Sequence, residues 1–406
     1  MKKWILGGLA ALGVAAGVGC ATLDPDQRNL LANMPTDRNV LFWSVEQRDA
    51  AFRAMDALPV LARSRTIAAG GEVYPLPEGL PLQLATDVDA YMQAQRTSAL
   101  VVVLDGKVVL EKYALGFTPE GKWTSFSVAK SLTSTLVGAA IADGAIDSID
   151  DPVTKYIKGL EGSAYDDVSV KQLLTMTSGV KWNEDYTDPN SDVALFNEHE
   201  AEDGLDVTVS YMRKLPREAP AGEKWVYKTG ETNLIGVLVS EATGKKLGEY
   251  LSEKIWRPFG MQQDATWLRG STGHEIAGCC IQAATRDMAR FGLFVMGGGK
   301  AAGRQVVPAD WFAAATTSQA AIGAPGRGYG YQWWTYDSGA FAAQGIFGQG
   351  IFIDPARKLV IASNSNWPTA TGDAVGSERE EFYRAVQAAV DRRGPPIMQG
   401  SQTTTN

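Results

Sequence analysis

The sequence predicts an α+β (α/β) domain in which one central sheet carries an inserted, mainly helical lobe. Strand-like segments occur near both ends of the domain, at 99–110 and 329–364, whereas about 150–285 shows helical patterns, many loops and few strand-like runs. Strands at the two ends can bury their apolar faces together. We therefore expect them to form one sheet around the inserted lobe.

A β-hairpin opens the predicted domain. The apolar stretches 99–104 and 107–110 flank Asp105-Gly106, the residue pair that a type I′ turn favours. The later strand-like segments are 329–336, 350–355 and 358–364. The last two are expected to be joined by a turn around Asp354-Pro355-Ala356-Arg357.

One predicted helix, at 127–143, is apolar or small on nearly every face. Such a helix is expected to be buried centrally instead of lying on the surface. A final amphipathic helix is predicted to begin with a capping box, Ser377 to Glu380. It is predicted to end where the tail 394–406, expected to be disordered, begins.

The composition is that of an ordinary globular protein, with 45% hydrophobic and 21% charged residues among 406. The formal net charge is −8, and no cluster of Lys and Arg indicates a nucleic-acid surface. The two histidines, His199 and His274, lie among polar or Gly residues without metal-ligand spacing, so we interpret both as surface loop residues. We expect no metal site, no nucleic-acid partner and no Ser-His-Asp triad.

Residues 1–19 are predicted to be a lipoprotein-type signal peptide. Two lysines precede an apolar stretch, 4–18, and a small residue stands directly before Cys20. This arrangement resembles the lipobox of bacterial lipoproteins, although Gly17 stands where Leu is usual. The resemblance implies a periplasmic protein anchored to a membrane by a lipid on Cys20, and Ala21 after it favours the outer membrane. Ordinary signal-peptide cleavage is the alternative.

The two remaining cysteines, Cys279 and Cys280, are adjacent in the sequence. Neighbouring cysteines bridge only with a strained peptide geometry, so we expect no stabilising disulfide. Both lie in an apolar run, GCCIQAA, and are predicted to be small buried thiols.

Ser127-Val128-Ala129-Lys130 is an S-x-x-K sequence at the start of the predicted buried helix. Residues three apart share one helix face, so the two side chains can meet. Burial and the positive end of the helix dipole both disfavour an ammonium, so the pKa of Lys130 should fall and its amine can accept the hydroxyl proton. Ser127 is therefore a candidate nucleophile and Lys130 its candidate base. The alternative is a lysine that reaches solvent along a less buried face.

Further segments accompany the S-x-x-K sequence in order along the chain. They are Ala142-Asp143-Gly144, Asp150-Asp151-Pro152, LLTMTSG at 173–179, Trp225-Val226-Tyr227 and Leu234-Ile235-Gly236. Together they resemble the superfamily of serine beta-lactamases, penicillin-binding proteins and esterases (class C type). The resemblance implies a beta-lactamase/transpeptidase-like fold, with a central antiparallel sheet flanked by helices. It also implies a serine hydrolase domain at 96–393, after an N-terminal extension at 20–95.

By this resemblance Tyr227 is the second-motif tyrosine, whose phenol relays a proton between Lys130, Ser127 and the leaving group. A buried aromatic residue with a satisfied hydroxyl is the alternative. The resemblance further implies an oxyanion hole formed by the backbone N–H groups of Ser127 and Ile346. Gly345 would permit close approach of the substrate there.

Departures from the usual motifs narrow the range of expected substrates. Thr229 replaces the usual Asn, and the third motif reads Ala343-Gln344-Gly345, without the cation that meets a beta-lactam carboxylate. The Y-x-[ST]-G-E-T stretch and the loop Asp185-Tyr186-Thr187-Asp188-Pro189 resemble the branch of 6-aminohexanoate-dimer hydrolases and related esterases. This makes Tyr186, Thr229 and Gly345 candidate substrate-binding residues. Tyr186 is either a lid residue or a residue that fixes a Pro-containing turn.

The leading interpretation is a serine hydrolase that cleaves a small ester or amide through an acyl-enzyme on Ser127, without metal or organic cofactor. A beta-lactamase or DD-peptidase of the same fold is a second interpretation. A binding or sensor lipoprotein that turns nothing over is a third. Trp333 and Trp334 either line the cleft or pack in the core.

Overall fold

The computed structural model describes residues 25–58, 60–61 and 63–393. The predicted signal peptide, the predicted lipidation residue Cys20 and the tail 394–406 lie outside these described residues. Among the helices that are described, none is long and apolar enough to cross a bilayer.

The strands of the described residues form three antiparallel sheets. They are β1 (Ser64–Ile67), β2 (Thr97–Leu104), β3 (Lys107–Tyr113), β4 (Trp123–Thr124), β5 (Ala265–Leu268), β6 (Ile281–Ala283), β7 (Lys300–Ala301), β8 (Arg304–Gln305), β9 (Ala320–Ala321), β10 (Arg327–Tyr329), β11 (Trp334–Tyr336), β12 (Phe341–Gly345), β13 (Gln349–Asp354) and β14 (Leu359–Ser365). The main sheet has the order β3-β2-β14-β13-β12-β11-β10-β9. The predicted sheet built from the two ends of the domain is therefore confirmed.

The predicted hairpin is formed by β2 and β3. Asp105 has a φ of 48° and Gly106 a φ of 76°, which are the positive values that a type I′ turn requires. Strand β2 lies inside the main sheet, where Val101 pairs with Ala362 of β14. Alternate residues of β2 belong to two different apolar clusters, so helices cover the sheet on both faces.

A second, four-stranded sheet with the order β1-β5-β6-β4 was not predicted. Its strands have between two and four residues, too few for a period-two pattern to be detected. The segment 329–336 is also not one strand, because β10 ends at Tyr329 and β11 begins at Trp334. The intervening turn buries Trp333 completely, and its ring stacks on Phe291. Trp333 is therefore a core residue.

The α-helices are α1 (Pro25–Ala32), α2 (Val45–Ala51), α3 (Val88–Ala94), α4 (Val128–Ala142), α5 (Val170–Leu174), α6 (Asp192–Leu195), α7 (Val207–Met212), α8 (Thr229–Thr243), α9 (Leu247–Leu251), α10 (Arg257–Phe259), α11 (Thr285–Met296), α12 (Trp311–Ala315) and α13 (Asp373–Arg393). A π-helical turn, Ser252–Trp256, joins α9 to α10. Short 3-10 turns lie at Val40–Phe42, Met55–Ala57, Val153–Lys155, Lys158–Leu160, Phe196–Glu198, Ile346–Gly348 and Pro355–Arg357. Helices α5 to α10 lie in the predicted lobe, which also contributes β5 and β6 to the second sheet.

Helix α4 is the predicted central helix, and every residue from 128 to 140 is buried. Its polar side chains satisfy carbonyl groups of neighbouring loops, since Ser131 donates to Gln332 O at 2.7 Å and Thr133 donates to Ala277 O at 2.9 Å. The helix packs against α8 of the lobe and against β12 and β13 of the main sheet. Its first turn therefore lies where the lobe and the sheet meet.

The last helix begins at Asp373, before the predicted capping box. Ser377 and Glu380 lie inside α13, so the predicted start of this helix is wrong. Glu380 instead accepts a hydrogen bond from the Tyr336 hydroxyl at 2.8 Å. An acidic residue in the first turn, Asp373, favours the earlier start through the helix dipole.

Candidate active site

Ser127 occupies the N-cap position of α4 and is 8% exposed. Phe126, directly before it, has a left-handed φ of 41°, which is uncommon for a bulky residue. The Phe126 ring packs edge-on against Phe52, with 4.9 Å between ring centroids. This packing holds the bend that precedes the serine.

Lys130 lies one turn further along the helix, with its amine next to the serine hydroxyl. Its Nζ lies 3.0 Å from Ser127 Oγ, 2.9 Å from Thr229 Oγ1 and 2.8 Å from Gly278 O. Burial lowers the pKa of Lys130 to about 8, although the Glu184 carboxylate acts in the opposite direction. The neutral amine can donate to Thr229 and Gly278 while its lone pair accepts the Ser127 proton.

Tyr227 lies beside Lys130 at the active site. Its ring stacks on Trp334, with 5.5 Å between centroids, and Lys130 Nζ lies 5.0 Å from the Tyr227 ring centroid. Burial raises the pKa of Tyr227 and the Glu184 carboxylate raises it further, whereas a hydrogen bond with Ser127 lowers it. The phenol therefore keeps its proton at neutral pH and can serve as a donor. Trp334, which is half-buried, lines this cleft.

Glu184 is a site residue that the sequence reasoning missed. Its carboxylate accepts hydrogen bonds from the Thr229 amide at 2.9 Å, from the Tyr186 hydroxyl at 2.9 Å and from the Trp182 indole. It also accepts one from the Thr229 hydroxyl, which in turn accepts from Lys130. A single acidic residue in a loop forms no motif with a recognisable spacing. The one feature of the sequence that indicates a site role is its position two residues before Tyr186, a predicted substrate-binding residue.

The loop before β6 runs beside the Lys130 amine. Gly278 accepts a hydrogen bond from Lys130 through its carbonyl and donates one to the Asn233 side chain at 2.8 Å. A Cβ on Gly278 would lie 2.8 Å from Thr229 Cγ2. Glycine at this position therefore allows Thr229 to approach Lys130.

Cys279 and Cys280 are joined by a disulfide, so the prediction of two free thiols is wrong. The loop accommodates a bridge between neighbours because Cys280 adopts a positive φ of 76°. Cys280 is buried and Cys279 is half-buried. Both line a cavity next to Ser127.

The end of β12 lies directly against the first turn of α4. A Cβ on Gly345 would lie 2.6 Å from Ser125 O and 3.0 Å from the Ser127 amide nitrogen, so a side chain cannot be accommodated without a shift. Ile346 follows immediately and lines the same cleft as Ser127. The Ser127 amide has no acceptor within the part of the chain that the structure describes. A free amide at this position is what an oxyanion hole requires.

Two cavities meet at Ser127. The first, which we call the apolar cavity, has a volume of about 410 Å³, and its apolar lining includes Val40, Leu41, Val60, Leu61, Trp182 and Phe196. The second, which we call the polar cleft, has a volume of about 780 Å³, and its lining includes Tyr227, Glu184, Arg327, Gln344 and Glu380. Ser127, Tyr186 and Ile346 line both cavities.

The predicted site residues within the described chain all lie around this junction. They are Ser127, Lys130, Tyr186, Tyr227, Thr229, Gly345 and Ile346. Tyr186 is half-buried between the two cavities, and burial first and the Glu184 carboxylate second raise its pKa. The structure does not place Cys20, which lies outside the described residues.

Two cations near the second and third motifs have different surroundings. Lys228 is completely buried, with its Nζ 3.6 Å from Glu231 Oε1 and 3.3 Å from Ser178 Oγ, so it does not face the cleft. Arg327 does line the polar cleft, where it lies 3.8 Å from Glu380.

Both histidines lie in loops, as interpreted, but they are half-buried and line the apolar cavity instead of being fully exposed. His199 Nε2 lies 2.9 Å from Ser210 Oγ, and His274 Nδ1 lies 2.9 Å from Asp206 Oδ2. Loop contacts from the lobe cover them, which their polar sequence neighbours did not indicate. Among the described residues, no cluster of three or more His, Cys, Asp or Glu could hold a metal ion.

An S-x-x-K helix between a helical lobe and the inner strands of an antiparallel sheet is the architecture of the serine hydrolases that share the beta-lactamase/transpeptidase fold. The Beta-lactamase family model matches residues 84–384, and the chain belongs to this family. It is a serine hydrolase of the beta-lactamase family, as the family match and the hydrolase relative support.

The comparisons with individual proteins agree with this family. The chain is 33% identical over 299 residues to the 6-aminohexanoate-dimer hydrolase of Paenarthrobacter ureafaciens, covering 70% of this chain and 76% of the relative. A solved structure from Bacillus anthracis, proposed to be a 6-aminohexanoate-dimer hydrolase, has a TM-score of 0.75 and 24% identity, covering 86% of this chain and 96% of that one. A family VIII carboxylesterase has a TM-score of 0.56 and 17% identity, covering 76% and 99%. At these identities the two solved structures support the fold alone.

Proposed function

We propose that the protein cleaves an ester or amide through an acyl-enzyme on Ser127, with Lys130 and Tyr227 as proton-transfer groups. The observation that carries this proposal is the 3.0 Å contact between Lys130 Nζ and Ser127 Oγ. The lysine is 1% exposed and its pKa is lowered to about 8. A lysine at its ordinary pKa would hold its proton too tightly to act as a base.

Acylation begins when the neutral Lys130 amine takes the hydroxyl proton and Ser127 Oγ attacks the carbonyl carbon. The carbonyl oxygen becomes an oxyanion, which the amides of Ser127 and Ile346 stabilise. The bond to the leaving group then breaks. Tyr227 donates its proton to the leaving atom and recovers one from the Lys130 ammonium.

Deacylation repeats these steps with water as the nucleophile. Water attacks the acyl carbon while Tyr227 and Lys130 relay its proton. The bond between the carbonyl carbon and Ser127 Oγ breaks, Oγ regains a proton, and the carboxylic acid is released. The resting state, with the neutral amine facing the hydroxyl, is restored.

The polar cleft supports esters and linear amides over beta-lactams. Gln344 stands at the third-motif position, where its amide donates to the Tyr336 hydroxyl at 3.0 Å. Lys228 is buried and cannot supply the missing charge. A beta-lactamase or DD-peptidase is the second candidate, and the observation in its favour is Arg327 in the polar cleft.

The test is covalent labelling by a fluorophosphonate together with steady turnover of p-nitrophenyl acetate. The wild type and a Ser338→Ala control, in which an exposed serine is removed, should be labelled and active. Ser127→Ala should be folded, unlabelled and inactive. Near wild-type activity in Ser127→Ala would refute the assignment of the nucleophile. A folded wild type that is neither labelled nor active would favour a non-catalytic binding protein.

A further inference from the structure

We infer that the apolar cavity binds an uncharged acyl chain of medium length, and that residues of the N-terminal ranges 38–58 and 60–61 form one wall of it. The substrates would be esters or amides of medium-chain carboxylic acids without a terminal charge. This inference rests on the proposed acyl-enzyme chemistry and specifies the substrate class for the same site.

The position of Tyr227 distinguishes the two sides of the reacting carbonyl. Tyr227 is the group that protonates the leaving atom, and it lines the polar cleft together with Glu184. The leaving group must therefore depart on that side. The acyl chain extends from the other side of the carbonyl, where Ser127 and Ile346 also border the apolar cavity.

The near wall of the apolar cavity comes from the N-terminal segment. Val40, Leu41, Met55, Val60 and Leu61 all line it. Aliphatic side chains of this kind favour hydrocarbon over water through the area that they remove from solvent. A volume of about 410 Å³ lies within the range of small-molecule binding cavities and exceeds what an acetyl group needs.

This wall is firmly attached to the domain. Arg48 is 4% exposed and donates to Asn366 Oδ1 at 2.8 Å and to the carbonyl oxygen of Trp367 at 2.9 Å. Phe52 packs on Phe126, the residue before the nucleophile. Strand β1, which follows the segment, pairs with β5 of the lobe. The wall is therefore held in place against both the domain and its lobe.

The charged groups of the apolar cavity already have partners. Asp206 accepts from His274 at 2.9 Å, from the Thr208 amide at 2.8 Å and from the Thr272 hydroxyl. Burial alone would raise the pKa of Asp206, but these bonds, foremost that of His274, lower it to about 2.

The other two charged groups of the lining are paired in the same way. Glu275 pairs with Arg65 at 2.6 Å, and Arg38 pairs with Glu198 at 2.8 Å near the surface. An ammonium at the end of the acyl chain would therefore find no free acid among the described lining residues. Its desolvation would go uncompensated.

The wall also lies outside the part of the chain that matches the family. The Beta-lactamase model begins at residue 84, whereas the wall residues lie between 38 and 61. The chain-length preference should therefore depend on the N-terminal segment. It can be altered there without touching the proton-transfer groups.

The experiment measures kcat/KM for p-nitrophenyl acetate, hexanoate and 6-aminohexanoate on one preparation of the full domain. Each buried methylene group is expected to contribute about fourfold to kcat/KM. Hexanoate should therefore exceed acetate by at least about tenfold. The 6-amino substrate, which adds an ammonium to the end of the same six-carbon chain, should fall below hexanoate by a similar factor.

Two variants, Leu41→Trp and Leu61→Trp, each place a larger side chain in the cavity from a different part of its wall. The matched control is Leu31→Trp, at an exposed position of α1. The quantity compared is kcat/KM for hexanoate divided by kcat/KM for acetate. The inference is supported if this ratio falls about tenfold or more in either cavity variant while the control keeps the wild-type ratio. The inference is overturned by a wild-type ratio near one, by unchanged ratios in both cavity variants, or by a preference for the 6-amino substrate. If no ester is turned over and Ser127 is not labelled, the proposed function itself fails.

Discussion

Glu184 holds Thr229 through both its backbone and its side chain, since the carboxylate accepts from the Thr229 amide at 2.9 Å and from its hydroxyl. The same hydroxyl accepts a hydrogen bond from Lys130. A loop of the helical lobe therefore fixes one of the three partners of the candidate base. Through its charge, the same carboxylate also raises the pKa of that base.

The pH dependence should reflect this arrangement. Because the base acts in its neutral form, kcat/KM should rise as pH increases through about 8, the pKa of Lys130. The Glu184 charge raises that pKa, so Glu184→Gln should move the inflection to lower pH. Glu380→Gln, which removes another acid of the polar cleft, is the control and should leave the inflection where it was. A Glu184→Gln inflection at the wild-type pH or above would contradict the assignment.

Loss of either proton-transfer group should lower kcat. Lys130→Ala and Tyr227→Phe should each reduce it on the order of 10²-fold or more, as for a positioned proton-transfer group. Lys158→Ala, at an exposed lysine, should behave like the wild type. Steady-state kinetics with p-nitrophenyl acetate provide the measurement. Unchanged kinetics in Lys130→Ala would place the base elsewhere, and His274, which lines the apolar cavity, would be the next residue to replace.

Gly345→Ala should impair catalysis more than stability. The added Cβ would lie 3.0 Å from the Ser127 amide nitrogen and would disturb the position of the proposed oxyanion hole. We expect kcat to fall by about 10²-fold, the usual effect of losing one oxyanion donor. The melting temperature should be measured on the same preparation. A folded variant with wild-type kcat would show that the oxyanion is stabilised by other groups.

Esters should be better substrates than beta-lactams. The missing third-motif cation removes a charge-assisted contact to the beta-lactam carboxylate, which corresponds to about 1.5–3 kcal/mol, or roughly tenfold to a hundredfold in kcat/KM. The measurement compares nitrocefin with p-nitrophenyl acetate and butyrate. Equal or faster turnover of nitrocefin would favour the beta-lactamase alternative. Arg327→Ala would then test whether the arginine of the polar cleft binds the beta-lactam carboxylate.

The lipid anchor is a proposal that concerns residues outside the described structure. Cys20→Ala should release the protein from the membrane fraction, because the acylated residue would be missing. Incorporation of a fatty-acid analogue into the wild type provides the direct measurement. A wild type that incorporates no label would indicate plain secretion after signal-peptide cleavage.

The sequence predicted those parts of the site that have a spacing of their own. Ser127 and Lys130 share a helix face, which is a local signal. The role of Tyr227 followed from the resemblance to the second motif of the family, together with its place before a long apolar helix. Glu184 gave no such signal, because its role depends on a loop folding back onto Thr229. The usual peptide geometry between neighbouring cysteines argues against a disulfide between Cys279 and Cys280. The local backbone departs from that geometry, with a positive φ at Cys280, and the bridge is present.

The fold was predictable to a similar extent. The Asp105-Gly106 hairpin and the late strands have residues with strong turn or strand preferences, and the main sheet followed from them. The second sheet is built from strands too short to carry a pattern, and its pairing of β1 with β5 is decided by tertiary contacts. Ser377 illustrates a different limit, because a capping sequence also occurs inside helices.

The pairing of Val101 with Ala362 has a consequence for how the protein acquires its structure. These strands lie side by side in the main sheet, yet the whole lobe is synthesised between them. The loop that joins them must close before the sheet can form, and such non-local contacts slow folding. A nascent chain that ends before β14 therefore leaves β2 unpaired on that edge. Between the synthesis of β2 and that of β14, the chain stays unfolded long enough for a chaperone to bind it or for it to be translocated.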